Sequence, residues 1–195
     1  MLRFVRADSA CFKTTSWSGG ATTELYIHPE GASYAERRFD FRISSAEVEL
    51  ESSVFTSLPS VKRFLTPLCG EGFRLVINGA EELFLPRGRV LEFSGDDAVA
   101  CFGKGRDLNL MLKGAEGCMR CIAAGERASF TGAKFQFLYA SEDGSIVPAL
   151  RSTRGAADEL ANELPVKAGD FIRVHGSGGF ISKGSVVLFS VRAHA

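Results

Sequence analysis

The stretch from Phe39 to Arg63 opens with strict alternation. Phe39, Phe41 and Ile43 fall on one side of an extended chain, and Asp40, Arg42 and Ser44 fall on the other. A strand of this kind has one face for apolar packing and one for polar groups. Here the polar face carries an arginine with a serine two residues on, a pairing suited to an acidic ligand. The run continues through Val48 and Leu50 and stops at Phe55-Thr56-Ser57-Leu58-Pro59, where proline removes a ladder donor. Arg63 lies just past that turn, so Arg42 and Arg63 are expected to line a small-molecule pocket.

The same periodicity recurs along the chain. Residues 22–28 predict a strand with Thr23, Leu25 and Ile27 on one face and Thr22, Glu24, Tyr26 and His28 on the other. Thr14 to Gly20, with Trp17 and the Gly19-Gly20 pair, reads as a loop, and residues 29–38 are polar and turn-rich. Short apolar runs follow at Phe73–Asn78, Glu82–Leu85, Val90–Phe93, Val99–Phe102 and Leu108–Leu112. Later ones are Cys118–Ala123, Phe135–Ala140, Ile146–Leu150, Phe171–Val174 and Val186–Val191. Gly- and Pro-bearing turns separate them, which argues for a β-sandwich or barrel rather than βαβ units. Ala156–Leu164 alone has helical composition, and it reads equally well as a surface loop.

Leu85-Pro86-Arg87-Gly88-Arg89-Val90 before Phe93 is echoed by Leu164-Pro165-Val166-Lys167-Ala168-Gly169-Asp170 before Phe171, which suggests two related halves. No low-complexity linker separates them, so they are expected to pack as one body. We place the first at residues 1–113 and the second at 114–195.

Composition changes this picture only by exclusion. Hydrophobic residues make up 45% and charged residues 24% of 195, ordinary for a folded globular chain, and the formal net charge is zero. With no Lys/Arg run the chain lacks the electrostatic footprint of a nucleic-acid binder, so its sixteen phenylalanines read as core. No segment approaches the roughly 20 apolar residues of a membrane span, and charge interrupts the N-terminus before any signal-peptide stretch forms. Five scattered cysteines do not form a secreted disulfide framework. A cytoplasmic protein without membrane or nucleic-acid partners is expected, and a homodimer is compatible with these features.

Candidate chemistry is sparse. His28, His175 and His194 are far apart, and Cys118 and Cys121 would point to opposite faces of a strand, so no metal or other cofactor is expected. There is no G-x-S-x-G elbow, P-loop or dinucleotide fingerprint, and Gly176-Ser177-Gly178-Gly179 reads as a flexible turn. Glu24 and Asp107 are the carboxylates to weigh as acid/base groups. Asp107, Asn109 and Met111 share one strand face and Leu108 and Leu110 the other, so the first of these faces could border the Arg42 cavity.

Four blocks together resemble the HutD/Ves family: Trp17-Ser18-Gly19-Gly20-Ala21-Thr22-Thr23-Glu24, Phe41 to Val48, Phe55 to Arg63, and Asp107-Leu108-Asn109-Leu110-Met111. Ser60 stands where a glycine is common. The resemblance implies a cupin-type double-stranded β-helix, all-β, with two tandem barrels packed together. It also implies an association with histidine degradation and a regulatory or sensing role. By position, Trp17, Thr23, Glu24, Arg42, Ser44, Arg63, Asp107 and Asn109 are the family-type site residues.

The expected function is a metal-free bicupin binding a small anionic metabolite such as urocanate, formylglutamate or formate. Arg42 and Arg63 would hold the carboxylate, Ser44 and Asn109 would add neutral hydrogen bonds, and Trp17 would cover one wall. The rival is a metal-independent isomerase or hydrolase using Glu24 or Asp107. A third reading is an interaction module with filled, inert barrels.

Overall fold

The computed structural model describes residues 2–149 and 163–193. The protein is all-β, a cupin-type double-stranded β-helix, and its only helical element among the described residues is a 3-10 turn at Ser9–Cys11. Most of the predicted 156–164 segment lies outside the described residues, and Leu164 opens a strand. The chain divides into one unit at Asp8–Glu116 and another built from Gly117–Arg192 plus the first residues up to Ala7.

Strand β1 (Arg3–Arg6) therefore departs from the simple division at residue 113. It pairs antiparallel with a strand of the second unit, Arg3 opposite His175 and Arg6 opposite Ile172.

The Asp8–Glu116 unit contains β2 (Lys13–Trp17), β3 (Gly20–His28), β4 (Phe41–Val48), β5 (Ser52–Val54), β6 (Lys62–Pro67), β7 (Gly72–Ile77), β8 (Glu81–Pro86), β9 (Leu91–Ser94), β10 (Val99–Phe102) and β11 (Gly105–Leu112). They form a six-stranded sheet, β2-β3-β4-β11-β6-β9, and a four-stranded one, β5-β10-β7-β8. The second unit adds β12 (Ala115–Ile122), β13 (Arg127–Thr131), β14 (Phe135–Ala140), β15 (Gly144–Ala149), β16 (Leu164–Val166), β17 (Phe171–His175), β18 (Ser177–Ser182) and β19 (Val186–Ala193). Its sheets run β1-β17-β14-β19-β12 and β13-β18-β15-β16.

The inner order β4-β11-β6-β9 is repeated as β12-β19-β14-β17, and β5-β10-β7-β8 as β13-β18-β15-β16. The Leu-Pro echo falls on the equivalent strands β8 and β16. Each unit is a pair of packed sheets rather than a continuously hydrogen-bonded barrel.

The two interiors differ. In the second unit Ile122, Phe130, Leu138, Ile146, Ile172, Phe180 and Leu188 fill the space between the sheets with apolar side chains. In the first, Leu65, Phe73, Leu75, Leu85, Phe93 and Val99 fill only part of it. A second cluster, Phe39, Leu58, Val61 and Met111, closes one end. The remainder of that interior carries the buried polar side chains Arg42, Ser44, Arg63, Asp107 and Asn109.

Two local readings change. Residues 13–17 are a strand, not part of a loop, because a two-residue Ser18-Gly19 turn folds them directly onto β3, Trp17 opposite Gly20. The Gly176–Gly179 segment is no flexible turn either. β18 lies between β13 and β15, bonded on both sides, with glycine at φ 155° at position 178.

Gly20 is fixed by its surroundings as well. At φ 147° an added Cβ would sit 1.8 Å from the Glu47 carbonyl oxygen. Gly20→Ala should lower stability by about 2 kcal/mol or more, read as a shift of the urea midpoint. A midpoint unchanged from wild type would refute this close approach.

Candidate functional site

The antiparallel register sets out the polar interior as a grid, since directly opposed residues point to one side of a sheet. One rung carries Arg42 on β4, Met111 on β11 and Arg63 on β6. The next carries Glu24, Ser44, Asn109 and Leu65, and the one beyond it carries Thr22, Ala46, Asp107 and Pro67. Strand spacing puts the Arg42 and Arg63 backbones about 10 Å apart, and both side chains reach back toward Ser44 and Asn109. The opposite face of these strands, Phe41, Ile43, Leu108 and Leu110, is also fully buried.

Arg42 Nε donates to Glu24 Oε2 at 2.8 Å, and Nη1 donates to Ser44 Oγ at 3.1 Å. Its guanidinium lies 4.3 Å from the Tyr34 ring centre. Arg63 is held differently. Nη1 donates to the Thr56 carbonyl at 3.2 Å, and Nη2 makes a long 3.5 Å contact to Asn109 Oδ1. The guanidinium lies beside both the Phe55 and Phe93 rings, 5.1 and 4.9 Å from their centres. Arg63 Nε is buried with no hydrogen-bond partner. Both arginines are 6% exposed.

Asn109 links the two kinds of group, since its Nδ2 donates to Asp107 Oδ1 at 2.6 Å.

These groups surround a cavity of about 420 Å³. Of the predicted site residues, Trp17, Glu24, Arg42, Ser44, Arg63, Asp107 and Asn109 all line it. Thr23 does not. Alternation turns Thr22 and Glu24 inward, so Thr23 faces the other way and its Oγ1 lies 2.9 Å from Thr14 Oγ1. Sequence reasoning named neither the polar Lys13 and Thr15 nor the aromatic Tyr34 and Phe55 as site residues, and all four line the cavity. Tyr34 carried a signal, as one aromatic in an otherwise polar ten-residue stretch.

Trp17, 39% exposed, stands at the rim with its ring over Gly19, where an added Cβ would meet it at 2.1 Å. Ser60, in the loop before Arg63, adopts φ 62°. The left-handed conformation is kept without glycine, and the Ser60 N–H donates to Asp96 Oδ2 at 3.2 Å.

Burial sets the electrostatics. Desolvation pushes the Asp107 carboxyl up to about 7, against the pull of the Ala46 backbone N–H, the Arg63 charge and the Asn109 amide. Arg63 is held below its ordinary value, first by burial and then by the like charge of Arg42, with Tyr34 and Asp107 acting the other way. Cys101, on the facing sheet, is pushed up to about 12 by burial and by Asp107, so it is a thiol at neutral pH.

A divalent cation does not suit this donor set. The lining contains no histidine or cysteine, one carboxylate is engaged by Arg42, and two guanidiniums occupy the same space. The arrangement favours an anion. Among the described residues no helix is long and apolar enough to cross a membrane.

Comparison with known proteins places the chain among relatives. The HutD family model matches residues 9–174. An uncharacterized 21.2 kDa protein in the hutC 3′ region of Pseudomonas putida is 33% identical over 114 residues, 56% of this chain and 57% of that one. The chain thus spans little more than half the length of this curated relative.

Among solved structures, a conserved protein of unknown function from Pseudomonas aeruginosa PAO1 aligns with TM-score 0.76 and 24% identity, covering 99% of this chain and 100% of the other. HutD from Pseudomonas fluorescens SBW25, in a formate condition, aligns with TM-score 0.74 and 20% identity over the whole of both chains. Ylba from E. coli, at TM-score 0.60 and 11% identity over 98% and 92%, shares the fold.

Proposed function

From the premise that this chain belongs to the HutD family, we propose that its first unit binds a small carboxylate metabolite between Arg42 and Arg63 and acts as a cytoplasmic sensor or regulator tied to histidine degradation. The observation that carries this reading is the pair of buried guanidiniums converging on Ser44 and Asn109, with a close carboxylate partner, among the described residues, for Arg42 alone. Buried like charges repel, and a ligand carboxylate supplies the missing counter-charge together with acceptors for Arg63. Ser44 Oγ and the Asn109 amide add neutral hydrogen-bonding groups, and Trp17, Tyr34 and Phe55 shape the walls.

The hutC neighbourhood of the P. putida relative and the formate condition of the P. fluorescens HutD support a ligand from this chemistry: urocanate, formylglutamate or formate. Isothermal titration of the protein with each should give a saturable heat for at least one. Silence from all three at millimolar concentration would defeat the reading.

One observation favours a second reading, an acid/base enzyme. The Asp107 carboxyl titrates near neutrality, whereas Glu24 is paired with Arg42. Asp107 rather than Glu24 is then the acid/base group. NMR of a bound candidate would show product forming, and Asp107→Asn would stop it; indefinite persistence of the bound compound counts against catalysis.

A further inference from the structure

We propose that anion binding in the first unit is coupled to protonation of Asp107, so that the cavity takes up a small anion and a proton together. This inference rests on the carboxylate-binding reading above and adds its regulation, whichever carboxylate is bound.

Placement sets the coupling. Asp107 and Asn109 are two residues apart on one face of β11, and Arg63 stands on the rung after Asn109, opposite Met111. The Asn109 amide bridges them. Its Nδ2 donates to Asp107 Oδ1 at 2.6 Å, and its Oδ1 receives the long contact from Arg63 Nη2. An anion held by Arg63 beside Asn109 therefore lies within about two residues of strand, roughly 7 Å, of the Asp107 carboxyl. Asp107 is 2% exposed, so little water screens that separation.

Three effects of the anion then act in one direction. Its charge repels an ionised Asp107. It engages the Arg63 guanidinium, whose charge favours the ionised form. It also displaces water from the cavity. Each of these moves Asp107 toward its neutral form.

The other groups around Asp107 do not reverse the sign. Ala46 on β4 offers a backbone N–H, and Glu24 on β3 is paired with Arg42 at 2.8 Å. On β2, Lys13 stands opposite Glu24 and is exposed. From the facing sheet, β10 brings the Cys101 thiol and β5 brings Ser53. All of them act on Asp107 with and without the anion, so the two states differ by the anion's own charge. Among the described residues the lining contains no histidine to titrate in its place.

Burial already lifts the Asp107 carboxyl of the empty cavity to about 7, so a further rise falls in an accessible range. The anion-bound form holds its proton to higher pH. Affinity is therefore greatest in acid below the value of the empty cavity, and it is lost as pH rises through that of the occupied one. The linkage is reciprocal: alkali releases the anion, and the anion tightens the proton by the same factor. Occupancy of the cavity thus reports pH as well as anion concentration.

A rise of about one unit on binding corresponds to about half a proton taken up near pH 7.5, and to an affinity roughly five- to tenfold lower at about pH 8.5 than at about pH 6. Titration calorimetry of the full chain with formate and formylglutamate, each in two buffers of different ionisation enthalpy, counts the protons. Urocanate is added at about pH 8.5 alone, because its own imidazole titrates below that. Asp107→Asn should show one apparent enthalpy in both buffers and an affinity that no longer varies over this range.

If the variant does not fold, the proton count and pH series on wild type decide the matter. No proton uptake by wild type near neutrality, or uptake that persists in Asp107→Asn, overturns the coupling and leaves the carboxylate site standing. Silence from all three acids overturns that site itself.

Discussion

Arg63→Met is expected to weaken carboxylate binding roughly a hundredfold while leaving the protein as stable as before or more so. The two effects separate because Arg63 is poorly satisfied in the folded protein. Among the described residues it has no carboxylate within ion-pair distance, its contact to Asn109 is long, and Nε is buried without a partner. Desolvating such a cation costs several kcal/mol, and replacing it with an apolar side chain of similar volume is often neutral or stabilising. Methionine can pack against the Phe55 and Phe93 rings, where sulfur–aromatic contacts replace the guanidinium.

Binding loses a buried charge-assisted pair, about 3 kcal/mol or roughly a hundredfold in affinity. Thermal denaturation and titration calorimetry on one preparation read both quantities. A variant that melts much lower yet still binds would mean that Arg63 is a structural strut.

Asp107→Asn is the second large effect, and its sign depends on pH. The folded-state value near 7 lies above the ordinary 3.8 because burial disfavours the ionised form. Between those values the folded protein keeps a proton that the unfolded chain has released, so this contribution is fully present in acid and lost as pH rises through 7. At about 1.4 kcal/mol per unit the loss is on the order of 4 kcal/mol. Asparagine does not titrate and can still accept from Asn109 Nδ2.

The variant should therefore match wild type near pH 4 and exceed it increasingly toward pH 8. Urea denaturation at a series of pH values measures the gap. A gap that stays constant, or opens in acid instead, would show that Asp107 is ionised in the fold.

Much of the site was legible because its residues sit on strands whose alternation is unbroken. From Phe41 to Val48 and from Asp107 to Met111, period two alone assigns Arg42, Ser44, Asp107 and Asn109 to one face. Period two could not reveal that the other face is buried as well. Alternation also misled between Thr22 and His28, where the register shifts between Glu24 and Tyr26. Beyond that bulge the faces exchange, so Tyr26 and His28 stack on Phe41 while Ile27 joins Arg42. Nothing in the local composition marks the bulge.

Thr23 was assigned to the site by its place in a family block, and strand geometry turns it away. The edge strand β2, exposed throughout, carries no apolar pattern to announce it; the hairpin with β3 orders it. Tyr34 reaches Arg42 from a loop, a contact that depends on chain path rather than on period.

The pairing of β1 with β17 has a consequence for how the molecule is made. The residues of β1 have their hydrogen-bonding partners in β17, far along the chain. Closing so long a loop adds little entropy over a moderately long one, but it cannot begin until β17 has been synthesised. The strands of the Asp8–Glu116 unit are all made before β17, whereas the sheet that holds β1 must wait for it. Cutting the gene at the unit boundary would give a C-terminal fragment whose β17 edge lies open to the nearest extended chain.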